Sequence, residues 1–499
     1  MRKTVLITLL YIVGLLTASA QLEYRVEAAG TASSGDHAPL WLNANKYGLS
    51  SVDKTSGYVR AGLFNPLRND SARLDWGYGV DVAVAGGFTS TLVVQQAYVE
   101  GRWLKGRLTL GSKEYPMELK NQQLSSGSQT FGVNARPVPQ LRLALPDYWT
   151  FANGWLGIKG HIAYGIQTDD HWQQDFVKND NRYTKHTLLH TKAGYLKIGP
   201  KNITVELGVE MACQFGGKSW MLVKGEGHQW VESSQGPSAF LHALIPGGSD
   251  VTEDVYKNAE GNQLGSLMAR LNLDYPKWNL GLYADHYFED HSSMYFLGYG
   301  GYGEGDQWDQ RKKLSFFVYE PRDMMLGAEL KLKQFPWLNT VLVEYLYTKY
   351  QSGAVYHDHT PYSNVQVSGR DNYYNHHIYT GWQHWGQVMG NPLYRSPLYN
   401  ADGSIEVKNN RFQAWHLGLE GQPLPTVGYR FLLTYQDGLG TYLTPYVPHQ
   451  YNLSMMAEAT WAFADGWQAR AALALDKGRL YGDNQGVQLT IVKSGLLTR

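Results

Sequence analysis

The stretch Ile203–Phe215, ITVELGVEMACQF, decides the fold of this chain. Every second residue from the first to the last is apolar, whereas the intervening residues are polar or small and include Glu206 and Glu210. Successive side chains of a β-strand point to opposite faces, so this run has one apolar face and one face with two carboxylates. Strands of soluble proteins usually run for about 5–6 residues, but about 13 residues tilted near 45° cover roughly 30 Å, the hydrocarbon depth of a bilayer. The stretch therefore predicts a strand of a transmembrane β-barrel.

The composition agrees with a membrane barrel and disfavours a nucleic-acid partner. The 499 residues carry no formal net charge and only 18% of them are charged, below the usual fraction of about a quarter, so we expect no nucleic acid as a partner. Aromatic residues reach 13%, with tyrosine leading, and glycines number 54. Tyr and Trp concentrate at membrane interfaces, and Gly suits turns and crowded barrel interiors.

The N-terminus has the pattern of an export signal. Residues 1–20, MRKTVLITLLYIVGLLTASA, combine two basic residues, an apolar run and a final Ala-Ser-Ala, which together predict a signal peptide cleaved before Gln21. No later apolar run reaches the roughly 18 residues that a spanning helix needs, so an exported chain of this kind is either soluble or a barrel. The single cysteine, Cys213, cannot form an intramolecular disulfide and is expected to face lipid from the apolar side of Ile203–Phe215.

The alternation of the opening stretch recurs along the chain. The expected fold is therefore all-β, a transmembrane antiparallel β-barrel of about 18 strands (16–20) with a small helical or plug element. Residues 21–54 are expected to form a periplasmic cap or the first strand, and residues 55–499 the barrel. Within the first of these segments, His37–Ser51 is interpreted as a cap or plug near the periplasmic rim. Ser112–Pro137 departs from the period and could fold into the lumen. The long connections, expected to form the external mouth, are Gln167–Lys185, Val231–Gln263, Asp290–Lys313 and Gln351–Asn410.

The densest group of candidate binding residues is Arg370–Tyr394, RDNYYNHHIYTGWQHWGQVMGNPLY. Flat aromatic faces suit the apolar face of a sugar ring, and amides, carboxylates and guanidinium groups satisfy hydroxyls. The pattern agrees with a glycan-binding surface, and it agrees at least as well with an aromatic loop that packs on itself over the barrel. The candidate glycan contacts are Arg370, Asp371, Tyr373, Tyr374, His376, His377, Trp382 and Trp385.

Polar residues that alternate with apolar ones are expected to face the lumen. A charge facing lipid at mid-depth costs about 2–4 kcal/mol, so the charged positions of the strands belong inside the barrel. The candidates are Glu206, Glu210, Arg270 and Asp285. They either pair with other charges and fill a closed lumen or line a glycan-binding or conducting interior.

No motif of the chain predicts catalysis, a metal or a cofactor. The histidines that could ligate a metal match no known spacing, and they belong to the run His357-Asp358-His359 and to His376, His377 and His384. The run Gly298–Gly303 fits GxGxxG only literally, since no strand precedes it and no helix follows it. There is no nucleophile elbow or recognisable Ser/His/Asp order, so no enzyme is expected.

Three stretches resemble the Wzi-type capsule assembly family, in the form found in Bacteroidetes-like bacteria. They are His37–Ser51, Ser125–Trp149 and Asp371–Tyr394. The resemblance implies an outer-membrane barrel of about 18 strands with a small helical element at the periplasmic side, in a Gram-negative bacterium. It also implies a non-enzymatic, lectin-like role in holding capsular polysaccharide at the cell surface, with outer-membrane lipid and the barrel-insertion machinery as further partners. The chain ends in Gly-Leu-Leu-Thr-Arg rather than in the usual aromatic residue, so we expect the last strand to end near Leu496 or Leu497.

Two other functions remain open at the level of sequence. A diffusion porin or substrate channel would use the same barrel with an open lumen. An outer-membrane enzyme acting on lipid or glycan is the third hypothesis, disfavoured because no catalytic triad is recognisable.

Overall fold

A computed structural model of the chain describes residues 22–67, 73–248, 259–289, 298–299, 302–315, 322–357, 361–362 and 366–497. Eighteen strands form one closed sheet, numbered here in chain order. They are β1 (Leu22–Ser34), β2 (Thr55–Asn65), β3 (Leu74–Gly86), β4 (Leu92–Trp103), β5 (Gly106–Ser112), β6 (Gln140–Phe151), β7 (Leu156–Ile166), β8 (Leu188–Ile198), β9 (Ile203–Phe215), β10 (Asn262–Asp274), β11 (Trp278–Glu289), β12 (Met324–Leu332), β13 (Thr340–Tyr347), β14 (Phe412–Leu424), β15 (Val427–Gly440), β16 (Pro445–Ala464), β17 (Trp467–Gly478) and β18 (Asn484–Leu497).

The remaining regular elements lie in the connections. The helices are α1 (Leu40–Asn43), α2 (Asp170–Phe176) and α3 (Pro237–Leu244), and 3₁₀ turns cover Ala152–Gly154, Gly305–Gln307, Pro336–Leu338 and Pro397–Tyr399. The short strands outside the barrel are Tyr183–Lys185, Lys218–Val223, Gly227–Glu232, Gly298–Tyr299, Leu314–Ser315, Ser352–His357, Gln366–Arg370, Gln383–His384 and Gln387–Val388. None of the helices in the described ranges is both long enough and apolar enough to cross a membrane.

The barrel closes by pairing its first strand with its last. Each strand pairs antiparallel with its neighbours in the chain, and β1 pairs with both β2 and β18, where Leu22 lies opposite Leu497. Closure leaves no free edge, which satisfies the backbone hydrogen bonds of every strand inside a bilayer. This architecture confirms the predicted fold class and the count of about 18 strands. The opening stretch is strand β9 with the predicted bounds, and β18 ends at Leu497.

The outer wall carries an aliphatic band between aromatic residues. On β9, Val205, Leu207 and Val209 are all more than a third exposed, as expected for side chains solvated by lipid. Exposed aromatic side chains gather near the rim that holds both termini, and they include Trp76, Trp103, Trp149, Trp155, Trp337, Trp461 and Trp467. Towards the other rim, Trp415 packs against Tyr345 with ring centroids 4.7 Å apart. These two belts match the interfacial girdles of membrane barrels.

The two rims differ in the length of their connections. At the rim with the termini the strands are joined by short turns, such as the two residues between β4 and β5. At the opposite rim lie the long connections, including residues 113–139, 216–261 and 348–411. We call these the short-turn rim and the loop rim.

The N-terminal segment differs from one of its two interpretations. Leu22–Ser34 is the first barrel strand, and residues 35–54 connect it to β2 at the loop rim, where they bend into the lumen. The interpretation of His37–Ser51 as a cap or plug near the periplasmic rim is therefore wrong in its position, because a connection between β1 and β2 starts and ends at the far end of both strands. The predicted signal peptide, residues 1–20, lies outside the described residues.

The upper end of β9 is covered rather than exposed to lipid. Cys213 points outward as expected, but its side chain is fully buried beneath α3, together with Phe215, Ala239 and Ala243. Helix α3 lies against the outside of β8 and β9, and Lys192 Nζ donates to the carbonyl oxygen of Ala243 at 3.3 Å. The expectation that Cys213 faces lipid is therefore wrong, since sequence alternation cannot show that a distant helix packs over the strand.

Candidate functional site

Three connections from the loop rim fold back and fill the barrel. They are residues 35–54, 113–139 and 371–410, which together we call the plug. Their side chains form one large buried core with the inward-facing residues of the barrel wall. Core members contributed by the plug include Leu40, Trp41, Leu42, Leu124, Tyr373, Tyr374, Trp382, Leu393, Tyr394 and Tyr399.

Carboxylates on the wall hold the middle segment of the plug. Glu344 of β13 is fully buried and accepts hydrogen bonds from Ser125 Oγ at 2.6 Å and from the backbone N–H of Ser126 at 2.8 Å. Asp285 of β11, also fully buried, forms a 2.6 Å ion pair with Lys120. Buried carboxylates are costly unless they are paired or hydrogen-bonded, so these contacts tie the segment to the wall.

The four lumen residues singled out from the sequence all point inside the barrel. Glu210 accepts from the Tyr195 hydroxyl at 2.7 Å and from the backbone N–H of Phe131 at 3.3 Å. Arg270 forms a 2.6 Å ion pair with Glu329. Asp285 belongs to the plug contact described above, and Glu206 accepts from Asn272 at 2.8 Å. Contacts with the plug, or with wall residues beside it, are therefore made by Glu210, Arg270 and Asp285.

The aromatic segment of the plug packs on the middle segment. Trp382 is 1% exposed, and its indole N–H donates to the carbonyl oxygen of Thr130 at 2.9 Å. Tyr374 and Tyr394 are fully buried and stack with ring centroids 4.0 Å apart. Tyr374 also donates its hydroxyl to the carbonyl oxygen of Gln129. The buried hydroxyl and indole groups therefore find backbone partners within the plug.

Two aspartates that sequence analysis did not single out anchor this segment at the loop rim. Asp169 accepts from the side-chain amide of Gln383 at 3.1 Å and from the backbone N–H of Trp385 at 3.0 Å. Asp323 accepts from the hydroxyl of Tyr373 at 3.0 Å and from the backbone N–H of Tyr350 at 2.9 Å. Burial raises the pKa of Asp323. These hydrogen bonds act in the opposite direction, but the effect of burial is larger. In the sequence, the only feature that marks these two aspartates is their position within three residues of a strand end.

The candidate glycan contacts separate into buried and exposed residues. Tyr373, Tyr374 and Trp382 are at most 1% exposed, so their rings cannot meet a polymer outside the barrel while the plug is in place. The expected external position is wrong for these three residues, because the connection turns into the lumen. The remaining members stay fully or partly accessible at the loop rim and are Arg370, Asp371, His376, His377 and Trp385.

The histidines of the same segment do not converge. His376 and His377 pack ring against ring at 4.2 Å, whereas the ring of His384 is buried between the carbonyl oxygen of Arg136 at 2.9 Å and the N–H of Thr168 at 3.1 Å. Burial lowers the pKa of His384, in keeping with a neutral ring that donates on one side and accepts on the other. Over the described residues, no three His, Cys, Asp or Glu side chains are grouped to hold a metal ion, and Asp358 and His359 lie outside them.

A small three-stranded sheet stands above the loop rim. Its strands Tyr183–Lys185, Lys218–Val223 and Gly227–Glu232 pair antiparallel, and we call it the external sheet. One face carries Trp220 directly opposite Trp230, with ring centroids 5.7 Å apart, and Tyr183 lies 5.3 Å from Trp230. All three rings are partly exposed.

Two lysines lie beside these rings, and the opposite face of the external sheet is hydrogen-bonded to helix α2. The Nζ atoms of Lys218 and Lys185 lie 4.8 and 5.5 Å from the ring centroid of Trp230. On the other face Thr184 is 1% exposed and donates its backbone N–H to Gln173 Oε1 of α2 at 2.9 Å. The aromatic face is therefore the outward one. Sequence analysis missed it, although KSWMLVKGEGHQWVE, residues 218–232, has the alternation and central glycines of a hairpin.

Comparison with known proteins gives the class of the barrel. No family model and no curated protein sequence matches the chain. Among solved structures it is similar to Wzi, an outer-membrane protein involved in group 1 capsule assembly in Escherichia coli, with 14% identity over 97% of this chain and 87% of that one and a TM-score of 0.55. The chain has the fold of an outer-membrane β-barrel.

Two further solved barrels match at lower similarity. Pseudomonas aeruginosa OccK3 is 11% identical over 96% of both chains, and OprD of the same organism is 10% identical over 97% of this chain and 98% of its own, each with a TM-score of 0.44. Outer-membrane barrels place short turns in the periplasm and long loops outside the cell. In that orientation the loop rim and the external sheet face the cell exterior.

Proposed function

We propose that this protein is an outer-membrane, lectin-like barrel that binds capsular polysaccharide and helps to assemble or retain it at the cell surface. The observation that carries the proposal is the external sheet, an accessible aromatic face with Trp220, Trp230 and Tyr183 above a lumen filled by the plug. Because the plug fills the lumen, the proposed binding surface is the loop rim.

The chemistry of the external sheet suits a sugar polymer. Indole and phenol rings offer flat apolar faces to the C–H face of a pyranose, and burying that surface contributes about 25 cal/mol per Å². Lys185 and Lys218 supply donors for hydroxyl or carboxylate oxygens beside the rings. A rigid strand scaffold keeps the rings in place before binding, which lowers the entropic cost of association.

The accessible part of the aromatic plug segment extends this surface. The indole ring of Trp385 is stacked under the guanidinium of Arg136 at 4.4 Å, and its N–H donates to Thr168 Oγ1 at 3.3 Å. Arg370 lies over the ring of Tyr442 at 4.8 Å. Both arrangements keep an aromatic face and a cation at the loop rim, so Arg370, His377 and Trp385 remain candidate contacts.

The fold of Wzi supports the proposal. That protein is described as a carbohydrate-binding β-barrel, and this chain follows its fold over nearly the whole length. The proposed role is binding, with no chemical step and no cofactor. Under this proposal the protein lies in the outer membrane of a Gram-negative bacterium and is solvated by lipid along its aliphatic band. It is exported through the signal peptide and inserted by the barrel-insertion machinery.

The test has a cellular arm and a variant arm. Deleting the gene should release capsule into the medium while polymer synthesis continues, and cell-bound capsule that stays unchanged contradicts the proposal. Complementation with Trp220→Ala/Trp230→Ala should fail to restore retention. Trp337→Ala is the control, since this ring is also accessible, at 64% exposed, but lies at the short-turn rim, and it should complement fully.

A substrate channel is the second candidate. Internal cavities of about 350 Å³ remain between the plug and the wall, and a mobile plug would join them to the outside. Reconstituted protein that passes a steady ion current would favour this function over binding alone.

A further inference from the structure

One of these cavities lies between the plug and the inner wall of β5–β8. It has a volume of about 350 Å³. The wall is lined by small side chains at its centre, because the register places Thr109, Ala144 and Thr191 on the inner face. Phe131 and Trp382 of the plug close the opposite side. Small residues facing large ones at this point leave room for a ligand of the size of one or two sugar units.

Arg142 of β6 projects into this cavity with no partner for its charge. Its guanidinium stacks on the ring of Tyr115 at 4.0 Å. Its Nε atom is buried without a hydrogen-bond acceptor, and within the described part of the chain no carboxylate lies within 4.0 Å of it. Buried guanidinium groups are almost always paired, since an unpaired one costs free energy.

Two more polar atoms point into the same space without a hydrogen-bond partner among the described residues. They are Arg107 Nε on β5 and His161 Nε2 on β7, and His161 is 8% exposed. Ala144 lies directly opposite both Arg107 and His161 in the sheet register, so the three residues form one row across the wall. Arg142 lies two residues from Ala144 on the same strand and therefore on the same face. The unsatisfied groups thus surround one spot.

Several other charged groups of the cavity have partners, and Arg107 Nη1 lies 3.9 Å from Glu100. Lys113 pairs with Glu100 at 2.6 Å, and Lys159 pairs with Glu118 at 2.5 Å. Glu210 accepts from Tyr195 and from the backbone of Phe131. Arg142 is thus a lining cation with no carboxylate partner among the described residues, whereas Arg136 donates to the hydroxyls of Ser90 and Thr89.

We propose that this cavity is a second, internal binding site, which takes an anionic sugar unit with its carboxylate against Arg142. The guanidinium supplies a bidentate fork for an oxyanion, and Arg107 and His161 supply further donors. Phe131, Tyr115 and Trp382 give the ring of the sugar apolar walls. The site goes beyond the proposed function, because it holds a small acidic sugar inside the barrel and needs no contact between polymer and external sheet.

The test is titration calorimetry on the purified full-length barrel in detergent at low salt. The probes are D-galacturonate, D-galactose and inorganic phosphate. Galacturonate should bind, galactose should bind at least about tenfold more weakly, and added salt should weaken the binding of galacturonate. Arg142→Gln should weaken galacturonate binding at least about tenfold and remove its salt dependence. This variant leaves no hydrogen-bond partner unsatisfied, so the barrel should fold.

A second variant tests the space rather than the charge. Ala144→Leu adds bulk to the cavity wall and should block galacturonate while Arg142 is intact. Ala471→Leu on the lipid face of β17 is the matched control and should bind normally. Binding that survives both Arg142→Gln and Ala144→Leu overturns the site, as does the lack of any heat with galacturonate. Phosphate that binds as tightly as galacturonate overturns the sugar assignment. Trp220→Ala/Trp230→Ala should leave this binding intact, which separates it from the proposed surface function.

Discussion

Removing the ring of Trp382 should open the plug without unfolding the barrel. The side chain is 1% exposed, and its indole N–H is bonded to the carbonyl oxygen of Thr130. Replacing a buried Trp by Ala costs about 3–5 kcal/mol, from lost apolar burial, the cavity left behind and an orphaned carbonyl group. The interstrand hydrogen bonds of the 18 strands are untouched, so the cost falls on the plug alone.

That cost predicts a large change in the population of the open state. At about 1.4 kcal/mol per tenfold, the ratio of open to closed plug should rise by roughly two to three and a half orders of magnitude in Trp382→Ala. In planar bilayers the wild-type barrel should be electrically silent, whereas the variant should show discrete openings. Limited trypsin treatment should cut the variant within residues 371–410 faster than the wild type, while both barrels keep their heat-modifiable gel mobility.

Trp385→Ala is the matched control, three residues along the same segment. Its ring is partly exposed and its main contact is the stack on Arg136, so the variant should lose about 1 kcal/mol and stay silent. The reasoning is refuted if Trp382→Ala remains silent and resistant to trypsin. It is also refuted if the wild type passes steady current, since the plug then does not close the lumen.

Three further predictions concern the plug and its links. Glu344→Gln removes the charge that receives two hydrogen bonds from Ser125 and Ser126 and should lower the free energy of plug closure by roughly 2–4 kcal/mol, measured as faster tryptic cleavage within residues 113–139. Burial lowers the pKa of Lys46 from 10.5 to about 7. Between these two pH values the unfolded chain holds a proton that the folded chain has released. The free energy of unfolding therefore rises with pH across this window. Lys46→Met should therefore raise the thermal unfolding midpoint more at about pH 6 than at about pH 9, and an equal shift at both contradicts the assignment. Gln173 connects Thr184 of the external sheet to Asp169, which anchors the plug at the loop rim, so Gln173→Leu should weaken the proposed polysaccharide binding several-fold with the rings of the sheet intact. Unchanged binding contradicts this role of Gln173.

Sequence alone was sufficient for the wall of this barrel. Alternation with period two is a local property, and in β9 it gave the strand, its bounds and the side chains that face lipid at Val205 and Leu207. The inward direction of Glu210 and Asp285 followed from the cost of placing a charge in lipid. Both inferences need only neighbouring residues and a bilayer.

The plug depends on contacts that no local pattern contains. Trp382 bonds to Thr130 across 252 positions of sequence, and Leu40 donates its backbone N–H to Asp476 across 436. Cys213 is a further case, since it alternates correctly but is covered by α3, a helix in the connection that follows β9. Whether a polar loop stays outside or turns inward is decided by partners elsewhere in the chain, so the direction of residues 35–54 at the rim could not be predicted.

Two aromatic clusters of similar composition end in opposite environments, and their hydrogen-bond partners account for the difference. In the plug, the polar atoms of Tyr373 and Trp382 meet fixed acceptors in Asp323 and Thr130, so burying these rings leaves no polar group unsatisfied. On the external sheet, Trp220 and Trp230 pack against each other, and lysine ammonium groups, which favour hydration, lie over Trp230. A ring whose polar atom meets a buried acceptor favours the core. The proposed binding of an external polymer is accordingly assigned to the external sheet, and the aromatic residues of the plug fill the lumen.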